Sequence, residues 1–262
     1  MERATGRGGG RVVRRWALPA GLVALLVGAW QVAASSGAIA GALGLEPFLV
    51  PSPAEIGEAL WESRSLLAED AWVTLKEMLL GLCCAVLAGL GFAVAMHLSE
   101  TLRLALYPLI VASQTIPVIA VAPILVVWFG FGIGPKLWVI ALICFFPIAV
   151  NTLAGLRSVD PEARKLMRSL DASRAQILWR LEAPASLPYF FSGARIAVAV
   201  AAIAAVFAEW VGADAGLGHL ILLDNAQLRT ARIFAAVLVL ATMTMALVGL
   251  VALAERRVVR WR

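Results

Sequence analysis

Charged side chains are scarce in this sequence. Of its 262 residues only 15% are Asp, Glu, Lys or Arg, against roughly 25% in an average soluble domain. With 61% hydrophobic residues, that shortage excludes an ordinary water-soluble globule and places the chain in the membrane class. Lysine is nearly missing: Lys76, Lys136 and Lys165 are the whole set, and none follows a glycine. A Gly-Lys-Ser/Thr phosphate loop is therefore excluded, and with it ATP binding by that motif. The two histidines, His97 and His219, have no partner at ligand spacing and read as surface residues. Cys83, Cys84 and Cys144 lie inside apolar runs, with neither metal-ligand spacing nor an even disulfide framework, and read as small packing residues. There is no His-Glu-x-x-His and no pair of carboxylates within one helix, so a membrane-embedded enzyme finds no support. The chain is expected to be no enzyme and to bind no cofactor or metal. The glycine-rich stretch 212–218 follows no strand, which argues against a dinucleotide site.

What is present is a series of long apolar runs. A spanning helix needs roughly 20 apolar residues, and backbone groups in lipid must bond within their own segment, so such runs become helices. Six qualify: 16–34, 78–98, 104–129, 137–156, 187–211 and 233–254. The expected fold is all-α, a polytopic membrane protein of about six transmembrane helices. The 16–34 run has a second reading, because basic residues, an apolar core and small residues near Ala33, Ala34 and Ser35 also describe a cleaved signal peptide. Its length, and Trp30 and Gln31 near its end, favour a retained span.

Arginine placement gives an orientation. Arg3, Arg7, Arg11, Arg14 and Arg15 precede the first run, and Arg256, Arg257, Arg260 and Arg262 follow the last. The net charge of +5 sits between apolar runs in this way, which is a topology signal rather than a nucleic-acid face. The positive-inside rule puts both termini and the 157–184 segment in the cytoplasm of a cell-membrane protein. Trp16 and Trp261 then mark the inner boundary, and Trp72, Trp128, Trp138 and Trp210 the outer one. The expected division is a basic tail over 1–15, a first helix over 16–34, an extracytoplasmic segment over 35–72, a five-helix core over 73–254 and a second basic tail over 255–262. Within 35–72, Ser52-Pro53-Ala54-Glu55 is a capping box with proline at the first helical position. Ile56, Ala59, Leu60 and Leu67 recur behind it at helical spacing, predicting a short amphipathic surface helix.

The 157–184 segment is the most informative. Asp160 is an N-cap with Pro161 behind it, and Leu166, Met167 and Leu170 form one apolar face. Ser173 caps a second short helix carrying Ile177, Leu178 and Leu181. Two readings of such a loop stand: an ordinary interfacial loop, or a handle whose apolar ridge a soluble partner takes up.

The segment resembles the coupling loop of binding-protein-dependent ABC importer permeases. The family pattern reads Glu-Ala-Ala, three residues, Gly, nine residues, Ile-x-Leu-Pro. With Pro184 on the family proline, Leu181 falls on the isoleucine, Ala183 on the leucine, Asp171 on the glycine, and Lys165, Leu166 and Met167 on Glu-Ala-Ala. Spacing is kept while identities depart; Ser169, Leu170, Ala172 and Ser173 with Pro184, Leu187 and Pro188 carry the likeness. The family glycine implies a turn with positive φ, a conformation aspartate tolerates better than most residues.

The resemblance runs over about 49–255. Ser113 to Pro117, Ala122-Pro123, Trp128 to Gly130 and Phe146-Pro147 look like the nitrate, sulfonate and taurine group. Asn151-Thr152, Gly155 to Asp160 and Ala208 to Gly212 look closer to a branch for thiamine-pyrimidine precursors or riboflavin. It implies the architecture of a type I ABC importer permease. It also implies a permease homodimer in lipid, a cytoplasmic ABC ATPase dimer holding ATP and Mg, and an extracytoplasmic solute-binding protein. A secondary transporter or channel is the alternative, expected to show matching halves.

Polar residues at depth are pathway candidates. Gln114, Thr115 and Pro117 sit mid-helix in a proline-rich run, and Asn151 follows Pro147; an interhelical hydrogen bond is the rival role for Gln114 and Asn151. Glu209 is expected near the outer mouth, meeting the binding protein or water. Arg195 is expected to snorkel. The loop 212–218 reads as a re-entrant gate element or as a plain turn.

Overall fold

A computed structural model gives residues 9–260, with side chains from residue 19 onward except Val118. The tail arginines up to Arg15, Trp16, Trp261 and Arg262 lie outside the described side chains. Among the described residues there are helices and no strand. Two compact units form, Met1–Arg64 with Leu223–Ala236, and Ser65–Leu222 with Val237–Arg262.

In the first unit, α1 (Gly9–Ser35) is followed by α2 (Ala38–Leu43), a 3-10 turn at Pro47–Leu49 and α3 (Pro53–Glu62). The capping box forms as its residues dictate: Glu55 N donates to Ser52 Oγ at 3.3 Å, and Ser52 N donates to Glu55 Oε2 at 2.6 Å. The Ala54 N–H reaches Gln31 Oε1 of α1 at 2.9 Å. The helix stops at Glu62, so Leu67 belongs not to it but to α4 (Arg64–Leu98), which begins well before its apolar run.

The second unit holds most of α4, then α5 (Glu100–Ser113), α6 (Val118–Phe129), α7 (Ile133–Arg157), α8 (Pro161–Ser169), α9 (Arg174–Ile177), α10 (Ala183–Trp210), the start of α11 (Leu217–Ala226) and most of α12 (Thr230–Val258). Among the described residues, four helical stretches are long and apolar enough to cross a membrane, Arg64–Leu98, Ile133–Arg157, Arg174–Trp210 and Thr230–Val258; Pro19–Ser35 and Ile119–Phe129 are shorter apolar helices. The expected single helix over 104–129 is two, broken at Gln114 to Pro117. Pro117 has no N–H to donate and forces its predecessor out of the helical region. Pro108 and Pro123 stay inside their helices. Gln114, Thr115 and Pro117 are therefore at an exposed break, not mid-helix, and Thr115 Oγ1 closes it by donating to Ala112 O at 2.8 Å.

Small residues set the spacing in the core. Gly81, Ala85 and Gly89 recur every fourth residue along α4, against Ile140, Cys144 and Ile148 at the same interval on α7. A Cβ added at Gly81 would lie 2.6 Å from Ile140 Cβ. Without a solvent-driven force between helices in lipid, such close backbone approach is what holds them together. Cys144 is buried and donates to Ala197 O of α10 at 3.3 Å, whereas Cys83 and Cys84 lie on the exposed side of α4.

Candidate functional site

Two polar clusters pin α4 to α10 at opposite ends. The 23 residue steps from Thr74 to His97 rise about 35 Å at roughly 1.5 Å each, slightly more than a hydrocarbon core of about 30 Å.

At one end Glu209 is fully buried. It does not face water as expected. Thr74 Oγ1 donates to Glu209 Oε1 at 2.7 Å, and the backbone N–H groups of Gly218 (2.5 Å) and His219 (3.3 Å) donate to Oε2. Leu217 N donates to Thr74 Oγ1 at 2.9 Å, and Gly216 N to Asp70 Oδ1 at 2.8 Å. The stretch 212–218 is thus a turn that wraps a carboxylate with its amides. Gly216 has φ of 124°, and a Cβ there would meet Glu209 Cδ at 2.4 Å, so glycine is required twice over. Nearby, Lys136 Nζ donates to Glu77 Oε1 at 2.6 Å in a buried pair joining α7 to α4.

At the other end Glu182 is buried beneath the 157–184 loop. Its Oε2 lies 2.7 Å from His97 Nε2, and its Oε1 lies 2.6 Å from Arg164 Nε in an ion pair. Arg164 also donates through its terminal nitrogen to Leu156 O at 2.8 Å. His97 is therefore no surface residue: its side chain is 11% exposed and tied to an anion. These three residues bring the end of α4, the first loop helix and the start of α10 to one point. A cleft of about 210 Å³ opens beside them, lined also by Arg168 and Arg174.

The loop itself is built from caps. Asp160 accepts from Glu162 N at 2.9 Å, and Ser173 and Gln176 form a capping box at 3.2 and 2.8 Å. Helix α8 ends in a Schellman turn, with Ala172 N donating to Met167 O at 3.0 Å and Asp171 N to Arg168 O at 3.0 Å. Asp171 takes the left-handed position of that motif, with φ of 58°. A π-turn over Leu178–Glu182 leads into α10. Pro184 lacks the N–H that a regular turn would aim at Arg180 O, and the widened turn buries Glu182 while leaving Trp179 outside. Leu166, Leu170 and Trp179 are 63, 71 and 73% exposed, large apolar side chains held out from a cationic loop. Lys165 is exposed and paired with Glu162, Ser169 closes on Leu166 O, and Met167, Ala172, Leu181 and Pro184 are half-buried beneath.

The remaining sequence candidates do not converge. Asn151 Nδ2 donates to Pro147 O at 2.7 Å within its own helix, so the expected interhelical bond is not made. Arg195 pairs with Glu255 of α12 and bonds Ser192 Oγ at 3.3 Å, in place of snorkelling alone. Sequence reasoning missed Thr74, Asp70, Glu77, Lys136, Arg164, Trp179 and Glu182. Trp179 is simply left exposed, and the others are tied to residues far along the chain, Thr74 to Glu209, Asp70 to Gly216, Glu77 to Lys136 and Arg164 to Glu182, contacts for which a single chain gives no spacing signal.

A family model described as the binding-protein-dependent transport system inner membrane component matches residues 81–260. The formylaminopyrimidine transport permease ThiX of Halalkalibacterium halodurans is 43% identical over 66% of this chain and 70% of its own. The riboflavin transport system permease RibX of Chloroflexus aurantiacus is 38% identical over 93% of this chain and 89% of its own. Among solved structures, an inward-facing MetNI methionine ABC transporter chain superposes with a TM-score of 0.63 at 20% identity, covering 76% of this chain and 97% of that one. Coupled with the apolar helices, these likenesses make the chain a multi-pass ABC importer permease subunit, a member of the binding-protein-dependent transport system inner membrane component family.

Proposed function

We propose that this permease moves a thiamine-pyrimidine precursor or riboflavin inward, powered by a separate ATPase that grips the 157–184 loop. Two copies of the chain line the path, a solute-binding protein delivers the cargo, and both termini lie in the cytoplasm. One observation carries the coupling role. A loop anchored through Glu182 to both Arg164 and His97 presents Leu166, Leu170 and Trp179 to solvent. Unpaired, such side chains are a liability; matched by a cleft on a partner, they make the loop a rigid lever. The heterocycle branch is supported by the high identity to ThiX and RibX, proteins named for formylaminopyrimidine and riboflavin transport.

The test is reconstitution in liposomes with the cognate ATPase and binding protein. ATP hydrolysis is expected to rise on adding the binding protein loaded with a pyrimidine precursor or riboflavin, and not with the taurine-loaded equivalent. Stimulation by taurine alone would move the chain to the sulfonate branch; transport without ATP would return it to the secondary-transporter reading.

Asp171 gives a second expected result. Asp171→Gly keeps ATP-coupled uptake, because glycine accepts φ of 58° at least as well. Asp171→Val meets a strain of about 1–3 kcal/mol for a branched residue in that region, and uncouples hydrolysis from uptake. A valine variant with a normal uptake-to-hydrolysis ratio defeats this account.

A further inference from the structure

Helix α12 is poorly covered in the second unit: 6% of its most apolar window is buried. One of its faces forms a groove with α10. The α12 wall runs through Ala241, Met245, Val248, Ala252 and Arg256 at intervals of three or four residues, and Arg260, in the turn just past the helix, lines the same end. The α10 wall is Ala202, Ala199 and Arg195, the same interval in the opposite chain direction. Along this one stripe lie two adjoining hollows. The first, about 400 Å³, is almost wholly apolar. The second, about 510 Å³, is ringed by Arg195, Glu255, Arg256 and Arg260. Glu255 is taken up by Arg195. Arg256 has no acidic partner among the described residues, and Arg260 Nε donates only to Arg257 O at 3.1 Å.

We propose that this groove is a binding site for an anionic phospholipid, with one acyl chain along the small-residue wall and the phosphate on Arg256 and Arg260. The dimensions agree. From Arg256 to Met245 the stripe rises about 16 Å at roughly 1.5 Å per residue, the depth of one leaflet of a hydrocarbon core about 30 Å thick, so a chain anchored at Arg256 reaches into the apolar hollow. The charge agrees as well: guanidinium groups at the end of a membrane helix attract anionic headgroups, whereas a bare second copy of this stripe would set arginine against arginine. Alanines at 199, 202 and 241 leave a trough that larger side chains would fill. The proposal rests on the membrane setting of α10 and α12, and its headgroup end is the inner one only if the proposed orientation holds.

The full-length chain, purified from membranes in a mild detergent, is examined by native mass spectrometry and by analysis of the lipid it retains. Phosphatidylglycerol or cardiolipin is expected to remain in preference to phosphatidylethanolamine. Arg256→Gln with Arg260→Gln lowers that retention on the order of thirty-fold, as removing two interfacial cations should. Ala241→Phe, at an exposed position, fills the trough and lowers it as well. Arg257→Gln, off the stripe, leaves retention unchanged. Equal retention in the double variant, equal loss in Arg257→Gln, or disulfide trapping of Met245→Cys against a second copy each overturns the proposal. Labelling of a cysteine placed at Arg260 by an impermeant thiol reagent reads the orientation separately, so failure of that reading is distinguishable from failure of the site.

Discussion

Glu209→Leu is expected to destabilise the protein by about 3–5 kcal/mol, since up to three buried donors lose their acceptor at roughly 1–3 kcal/mol each. The donors are the Thr74 hydroxyl and the amides of Gly218 and His219. Leucine fills the volume but accepts nothing, and the turn at 216–218 passes so close to this side chain that not even a Cβ fits at Gly216. The readout is thermal unfolding in detergent followed by tryptophan fluorescence, with a fall in midpoint on the order of 10 °C. Glu209→Gln is the discriminating companion. Its carbonyl still accepts from Gly218 and His219, and its amide can donate to Thr74 Oγ1, which turns its own proton to Asp70 O at 3.2 Å. Glutamine should therefore recover most of the loss. If leucine and glutamine are equally stable, the amide cradle contributes nothing and the carboxylate is buried for another reason.

What the sequence made legible follows the range of the forces involved. Helical runs and caps are local, and Ser52 with Glu55, Asp160 with Glu162, and Ser173 with Gln176 all make the bonds their spacing dictates. The left-handed turn at Asp171 was legible too, through its alignment with a glycine position. Proline was misread in one direction: three prolines in 104–129 look alike as letters, yet only Pro117 ends a helix, because the residues before it also form a turn. The contacts that were not legible are tertiary. Glu182 reads as one more charge in a charged loop, and only folding reveals that His97 and Arg164 converge on it from 85 and 18 residues away. Glu209 beside Trp210 at a helix end reads as a solvent group, and the amides that solvate it instead, those of Gly218 and His219, belong to a separate stretch nine and ten residues on. The same limit explains why Gln114, Thr115 and Asn151 do not form one cluster: each was chosen for depth in an apolar run, and depth alone does not fix the face of a helix.

Leu170→Ala with Trp179→Ala is expected to weaken association with the partner ATPase by about a hundredfold or more while leaving the permease itself folded. A buried aromatic anchor at an interface contributes about 2 kcal/mol or more, and two such losses amount to a factor of that order even when they overlap. The permease should not notice, because both side chains are largely exposed in the free subunit. Its thermal midpoint should stay within a few degrees of wild type, since exposed substitutions usually change stability by about 0.5 kcal/mol or less. Glu182→Ala makes the contrast. It leaves Arg164 and His97 without their shared anion beneath the loop, so it should lower the midpoint as well as the coupling, because the lever loses its seat. Surface-immobilised ATPase titrated with detergent-solubilised permease measures the first effect, and unfolding curves measure the second. Undiminished binding by the double alanine variant would place the ATPase elsewhere on the chain. Binding lost together with a fall in midpoint as large as that of Glu182→Ala would show that Leu170 and Trp179 serve the loop's own packing. Loss of binding with an unchanged midpoint is what a rigid loop read by a second protein requires.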